Sequence, residues 1–417
     1  MSCKRVLLTC LLSLVSCLVL KAQYNNDFLY YLKYGNSVNL HAEYELNSTA
    51  VQNDLMNKFI YGGNIDSITK TRTQNRLHEH NRIGGSYNTG ATVFLGSDKS
   101  KYHFAAGLKQ VQMANASFSG DAFNLLMSGN KMYEGKTADI SHTNINNYQY
   151  QEMKLGLIWD NIDSTAKFGV SLSYLKGQTF DQIRTGAASI YTAPDASQLN
   201  FNMNGSLVMS DTSKGKNNLG AFNGNGMAAE FFAYIPYISK LGNSSFFASV
   251  NNLGFIRWNR NTVSYNTDTS YVYKGVTVNN IFQLNNSSVQ NLSKDSLVKK
   301  LIKHGKGPVS SNLPMSLFML HTIKFTQLFA LNTGFRYLFD ANYIPYLYAE
   351  GQFAVHKNFT ATAHVGYGGY GKLSEGLNVE YKIKTFYVRL GTNAIQGYIA
   401  PKHSLGQGLF FSLTKKI

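Results

Sequence analysis

Cysteine is confined to the start of this 417-residue chain: Cys3, Cys10 and Cys17 are the only three. The remainder therefore has no disulfide framework, no thiolate metal site and no cysteine nucleophile. Proline is scarce, 6 in all and none between Tyr24 and Ile60, so no proline-rich hinge divides the chain. Charged residues make up only 15%. Beyond residue 20 no run approaches the roughly 20 apolar residues of a spanning helix. The catalytic signatures G-x-S-x-G, H-E-x-x-H and the phosphate loop do not occur. His78-Glu79-His80 offers two metal ligands, but spacing identifies no third. Serines are plentiful and His356 and His364 lie in strand-like sequence, yet nothing fixes a Ser–His pair. The expectation is a non-enzyme without metal or cofactor.

What the chain does have is an export-type start. Lys4 and Arg5 precede the apolar run Val6 to Leu20, and Lys21-Ala22-Gln23 ends it. This reads as a signal peptide over residues 1–23. Leu14-Val15-Ser16-Cys17 allows a lipoprotein box as the lesser reading. An exported chain without spanning helices can enter a bilayer only by strands, which points to the outer membrane of a two-membrane bacterium.

The strands are plain from Leu328 onward. Phe329, Leu331, Thr333, Phe335 and Tyr337 alternate with Ala330, Asn332, Gly334 and Arg336. The same alternation recurs from Leu347 to His356, Phe359 to Tyr367, Leu377 to Lys384 and Phe386 to Gly391. Period two puts successive side chains on opposite faces. One face is greasy and aromatic, and the other carries Arg, Glu, Lys, His and Asn. Repeated in series, this predicts an all-β, single-chain transmembrane barrel, closed because an open edge in hydrocarbon would leave backbone groups unpaired. Tyr (27) and Phe (26) supply material for interface girdles. About 14 antiparallel strands are expected over residues 24–417, with 16 the next choice and short helical plug or loop segments besides.

Earlier in the chain, residues 24–60 read as an N-terminal arm or plug. Within it, Val38 to Leu46 alternate as a strand, and Val51, Leu55, Met56 and Phe59 have helical spacing. Met153 to Trp159 and Phe168 to Tyr174 form a hairpin whose inner face carries Glu152, Lys154, Lys167 and Ser171. Residues 117–147 form a long loop with an apolar cluster, Phe123, Leu126 and Met127, stopped by Gly129-Asn130; these are plug or cavity candidates. Residues 293–305 read as a short basic amphipathic helix, a solvated loop helix being preferred over a lipid-contacting one. The lumen-facing candidates are Arg336, Glu350, His356, His364, Glu380, Lys382 and Arg389. An ion-pair ladder filling the lumen is preferred to a ligand ladder, because unpaired charge out of water is costly.

Net charge is +16. With an export signal and no nucleic-acid motif, that charge suits anionic outer-membrane lipid and lipopolysaccharide rather than nucleic acid. The Ala22-Gln23 signal end, the segment Asn251-Asn252-Leu253-Gly254-Phe255-Ile256-Arg257-Trp258 and the stretch Asp121 to Gly135 resemble an uncharacterised group of Bacteroidota outer-membrane barrels. That group is distantly similar to long-chain fatty-acid transporter barrels and to barrel subunits of gliding and secretion machinery. The resemblance implies one of two functions. One is passage of a small or hydrophobic molecule through a plugged lumen. The other is a non-transporting barrel that anchors or receives a periplasmic or surface protein in secretion or surface assembly.

Overall fold

The alternating segments become strands in the computed structural model, which describes residues 26–97, 100–161, 165–195, 197–211, 220–273 and 303–417. In chain order they begin with β1 (Ser37–Ser48), β2 (Asn81–Leu95), β3 (Tyr102–Phe118), β4 (Lys136–Asp139), β5 (Asn144–Asp160), β6 (Lys167–Thr192) and β7 (Leu199–Met209). Next come β8 (Gly224–Ser239), β9 (Gly242–Trp258), β10 (Val263–Tyr273), β11 (Lys303–Lys306), β12 (Val309–Asn312) and β13 (Ser316–Lys324). The last are β14 (Phe329–Leu338), β15 (Ile344–His356), β16 (Phe359–Gly369), β17 (Leu373–Ile383), β18 (Phe386–Thr392) and β19 (Gly406–Lys416).

Fourteen of them close a barrel. The wall runs β1, β2, β3, β5, β6, β8, β9, β13 and then β14 to β19 in order, each antiparallel to the next. β19 pairs back onto β1 from Ser37↔Lys416 to Asn47↔Gly406, so the wall has no free edge. The expected count of 14 holds. The other strands extend the sheet away from the wall: β7 and β4 pair with the far part of β6, β10 with β7, β11 with β10, and β12 with the far part of β9.

The two ends of the barrel differ. At the end holding Ser37 and Lys416, the strands are joined by turns as tight as Lys357-Asn358 and Lys384-Thr385. At the other end lie the long connections, including the helices Asn53–Tyr61, Ser67–Gln74 and Gly120–Ser128. Outward side chains form an apolar belt: Leu155 is 72% exposed and Leu172 68%. Tyr102, Trp159, Phe168, Phe353 and Phe386 face outward beside the short turns, as an interface girdle requires. This is the fold of a transmembrane β-barrel.

The interior is packed. An aromatic cluster including Phe94, Phe232, Phe247, Phe318, Tyr346 and Tyr348 fills one part. A second, around Phe180, Ile256 and Trp258, fills another, with the Phe180 and Trp258 rings stacked at 5.3 Å. Several glycines exist to receive these rings. A Cβ at Gly334 would fall 2.0 Å from the Tyr348 ring, and one at Gly366 2.1 Å from the Tyr346 hydroxyl. Gly366 thus serves ring packing between neighbouring strands.

Some expectations change. Segment 24–60 is not one unit: Phe28–Tyr34 is a helix, Ser37–Ser48 is wall, and Asn53–Tyr61 lies at the long-loop end. The basic helix expected over 293–305 lies mostly outside the described residues. Its last part is strand rather than helix, because Lys303–Lys306 pairs with Val263 to Asn266. The signal peptide, residues 1–23, also lies outside the described residues.

Candidate functional site

The short N-terminal helix (α1, Phe28–Tyr34) turns back into the lumen before the wall begins. The Asn26 carboxamide oxygen accepts the Phe28 N–H at 3.0 Å, which starts the helix. Gly35, at φ 68°, ends it, donating its N–H to the Tyr31 carbonyl. That positive φ lets the chain leave the helix directly into β1.

Anchors around the wall hold α1. The Asn26 amide donates to Asn251 on β9 at 3.0 Å. The Asp27 carboxylate meets Lys109 on β3 at 2.8 Å and Lys154 on β5 at 3.1 Å. Lys154 is in turn 2.6 Å from Glu230 and 3.4 Å from Glu152, whose carboxylates accept from Ser171 and Ser173. All five charged groups are buried. Burial alone would raise the Asp27 pKa, but the two ammonium groups outweigh it and hold the carboxyl far below the ordinary range. The Tyr31 hydroxyl donates to Asp160, which also binds Lys167. At the other end of α1, Lys33 and the Tyr34 hydroxyl both donate to Glu380 on β17. Phe28 lies 4.4 Å from the Phe232 ring, adding an apolar contact.

A cavity of about 310 Å³ separates α1 from the opposite wall. Leu29, Leu32, Phe247 and Leu320 give it an apolar side; Glu350, Gln352, Asn378, Glu380 and Arg389 give it a polar one. A second cavity, of about 90 Å³, is lined by Glu43, Glu45, Lys109, Glu152, Glu230 and Arg336 among others.

Of the lumen candidates, five face inward. Arg336 reaches Glu45 at 3.2 Å, and its guanidinium lies 5.6 Å from the Tyr343 ring centre. Arg389 sits 4.9 Å from the Phe410 ring centre. Glu350 contacts His364 Nδ1 at 3.2 Å, His364 Nε2 contacts the Tyr346 hydroxyl at 2.7 Å, and that hydroxyl contacts Ser374 at 2.7 Å. The order carboxylate–imidazole–hydroxyl invites a catalytic reading. The His364 side chain is fully buried, however, so this row fixes the wall where it stands.

The other two leave the lumen. A bulge at Val355 shifts the register, so His356 pairs with Phe359 and shares its outward face. Lys382 keeps the parity of Glu380, but it lies at the short-turn rim, exposed, with its ammonium 5.6 Å from the Tyr387 ring centre. Phe123 is buried against Leu46, Leu55 and Met56, with Met127 partly buried beside it. They cap the long-loop end instead of lining a lumen plug, and Leu126 is 41% exposed. The stop at Gly129 is as expected, with φ 76° and its N–H on the Leu125 carbonyl. Among the described residues no group of three or more His, Cys, Asp or Glu is placed to hold a metal.

Asp27 and Glu230 are the residues that sequence reasoning missed, whereas Glu152, Lys154 and Ser171 were placed correctly on the inner face. Parity of β3 and β8 turns Lys109 and Glu230 inward. Nothing in the sequence paired them with Asp27.

A family model described as a family of unknown function (DUF5723) matches residues 24–393, and the chain belongs to that family. No curated protein matches it. Among solved structures it is similar to a mutant of the monoaromatic hydrocarbon channel TodX, at 9% identity over 93% of this chain and 92% of that one, TM-score 0.49. It is also similar to a Pseudomonas aeruginosa FadL homologue, at 10% identity over 91% and 90%, TM-score 0.42. The translocator domain of the autotransporter NalP from Neisseria meningitidis is a further match, at 8% identity over 91% and 88%, TM-score 0.34.

Proposed function

We propose that this member of the DUF5723 family is an outer-membrane passage for a small amphipathic or hydrophobic molecule, gated by the N-terminal helix Phe28–Tyr34. The short turns face the periplasm, the long loops face outward, and lipid surrounds the apolar belt. The observation that carries this reading is the 310 Å³ cavity between α1 and the wall, apolar on one side and polar on the other. That size and lining suit a small ligand with an apolar body and a polar end. The gate is held by ion pairs and hydrogen bonds, and among the described residues its covalent link to the wall runs through Gly35. It can therefore leave without breaking the sheet.

The test is solute flux in proteoliposomes, comparing the protein with a variant lacking residues 26–35. Flux of small aromatic alcohols is expected to rise in the variant. No flux of any tested solute in either protein would sink the passage reading.

A second reading, a barrel that docks a partner protein, draws on the sheet of β4, the far part of β6, β7, β10 and β11, which stands beyond the wall. It predicts that shortening β7 and β10 removes a protein that co-purifies from native outer membranes, while flux is unchanged.

A further inference from the structure

At the long-loop end a cleft of about 580 Å³ opens over the packed lumen. Its floor is a single register row across four adjacent strands: Arg82 pairs with Ser117, Ser117 with Asn144, and Asn144 with Arg184. Residues paired this way share a face, and here it is the inner one, since Arg82 has the parity of the lumen-lining Ser86 and Asn88. Opposite them, the turn between β14 and β15 reaches across the mouth. Asn342 donates its amide to Asn115 at 2.8 Å and to the Asn144 carbonyl at 3.3 Å.

The cleft's charge is unbalanced. Arg82, Arg184, His80 and His142 line it, with Asp340 the one carboxylate among its lining residues. Neither arginine has a carboxylate within 4 Å among the described residues, although Lys109, Lys154 and Arg336 deeper in the lumen all do. Arg82 Nε is buried and makes no hydrogen bond among the described residues, and Asn144 Oδ1 is likewise unsatisfied there. A buried donor without an acceptor is costly, so an acceptor from outside the chain would lower the free energy of this site. Phe118 and Tyr337 add apolar surface to the same cleft.

We infer that this cleft is a capture site for a small soluble organic anion. Its phosphate, sulfate or carboxylate group rests on Arg82 and Arg184, and its apolar body lies against Phe118 and Tyr337. Guanidinium groups suit such oxyanions because their N–H donors match the oxygen geometry. The assignment deepens the passage reading by naming a substrate class, and it rests on that reading for its purpose. A phosphate group could also come from a lipid headgroup. The row faces the lumen, away from the bilayer, which favours the soluble source.

The test is calorimetric titration of the full chain in neutral detergent with phenyl phosphate and, as its uncharged counterpart, benzyl alcohol. Phenyl phosphate is expected to bind more tightly. Arg82→Gln and Arg184→Gln are each expected to weaken it roughly tenfold or more, whereas Lys131→Gln, at an exposed residue of the same end outside the cleft, leaves it unchanged. Retained heat-dependent gel mobility confirms that each variant is folded. Equal binding of the alcohol, or unchanged binding in the double arginine variant, would overturn the inference. So would loss of phenyl phosphate binding in phosphatidylglycerol nanodiscs but not in phosphatidylcholine ones, which would assign the seat to a lipid headgroup. Binding is read without flux, so a barrel that captures the anion but passes nothing would refute the passage reading and leave the capture site standing.

Discussion

Replacing Asp27 with asparagine removes the charge that Lys109 and Lys154 share at 2.8 and 3.1 Å. Lys154 keeps Glu230 and Glu152, but Lys109 is left with no carboxylate within 4 Å among the described residues. Both side chains are almost fully buried, so water does little to screen the loss. Breaking one partner of a buried pair costs about 3–5 kcal/mol. The new amide can still accept a hydrogen bond, which places this case near 3 kcal/mol. At 1.4 kcal/mol per decade, the undocked fraction of α1 should rise on the order of 100-fold.

Amide hydrogen exchange reads this directly. A seven-residue helix is not stable alone, so protection of the Gly35 N–H, which bonds the Tyr31 carbonyl, depends on docking. Asp27→Asn should accelerate its exchange by about that factor, while amides in β15 and β16 stay unchanged. The double variant Asp27→Asn/Lys109→Met, with no orphaned ammonium, should recover much of the protection. Unchanged exchange at Gly35 in a folded Asp27→Asn barrel would refute the claim that this ion cluster holds α1 in place.

Other perturbations separate wall from lumen. Because the folded Asp27 pKa is depressed, its contribution is present above the unfolded value near 4 and lost only as pH falls below it; Gly35 protection, after correction for intrinsic exchange, should therefore be level between pH 8 and 5. Leu155 lies four residues, roughly 13 Å along the strand, from the girdle residue Trp159 and is 72% exposed. Leu155→Arg should thus cost about 2–4 kcal/mol of folding into lipid vesicles, measured by denaturant titration, and a soluble protein would tolerate it. Gly334→Val forces the Tyr348 ring from its seat and should destabilise by about 1–3 kcal/mol in the same assay.

The alternation of side chains by itself determined the wall. It gave the outward belt of Leu155, Leu172 and Leu347 and the inward Glu152, Lys154, Glu350, His364 and Glu380, because period two is a local property written residue by residue. It failed where geometry departs from the local rule. One extra residue at Val355 reversed His356, and position along the strand, which parity ignores, left Lys382 at the rim. Tertiary structure alone decided what fills the barrel. Asp27 meets lysines 82 and 127 residues away, and Arg82 joins Arg184 through three strand pairings. Barrel closure creates those juxtapositions, and no periodicity along the chain encodes which inward charges will face each other across the lumen.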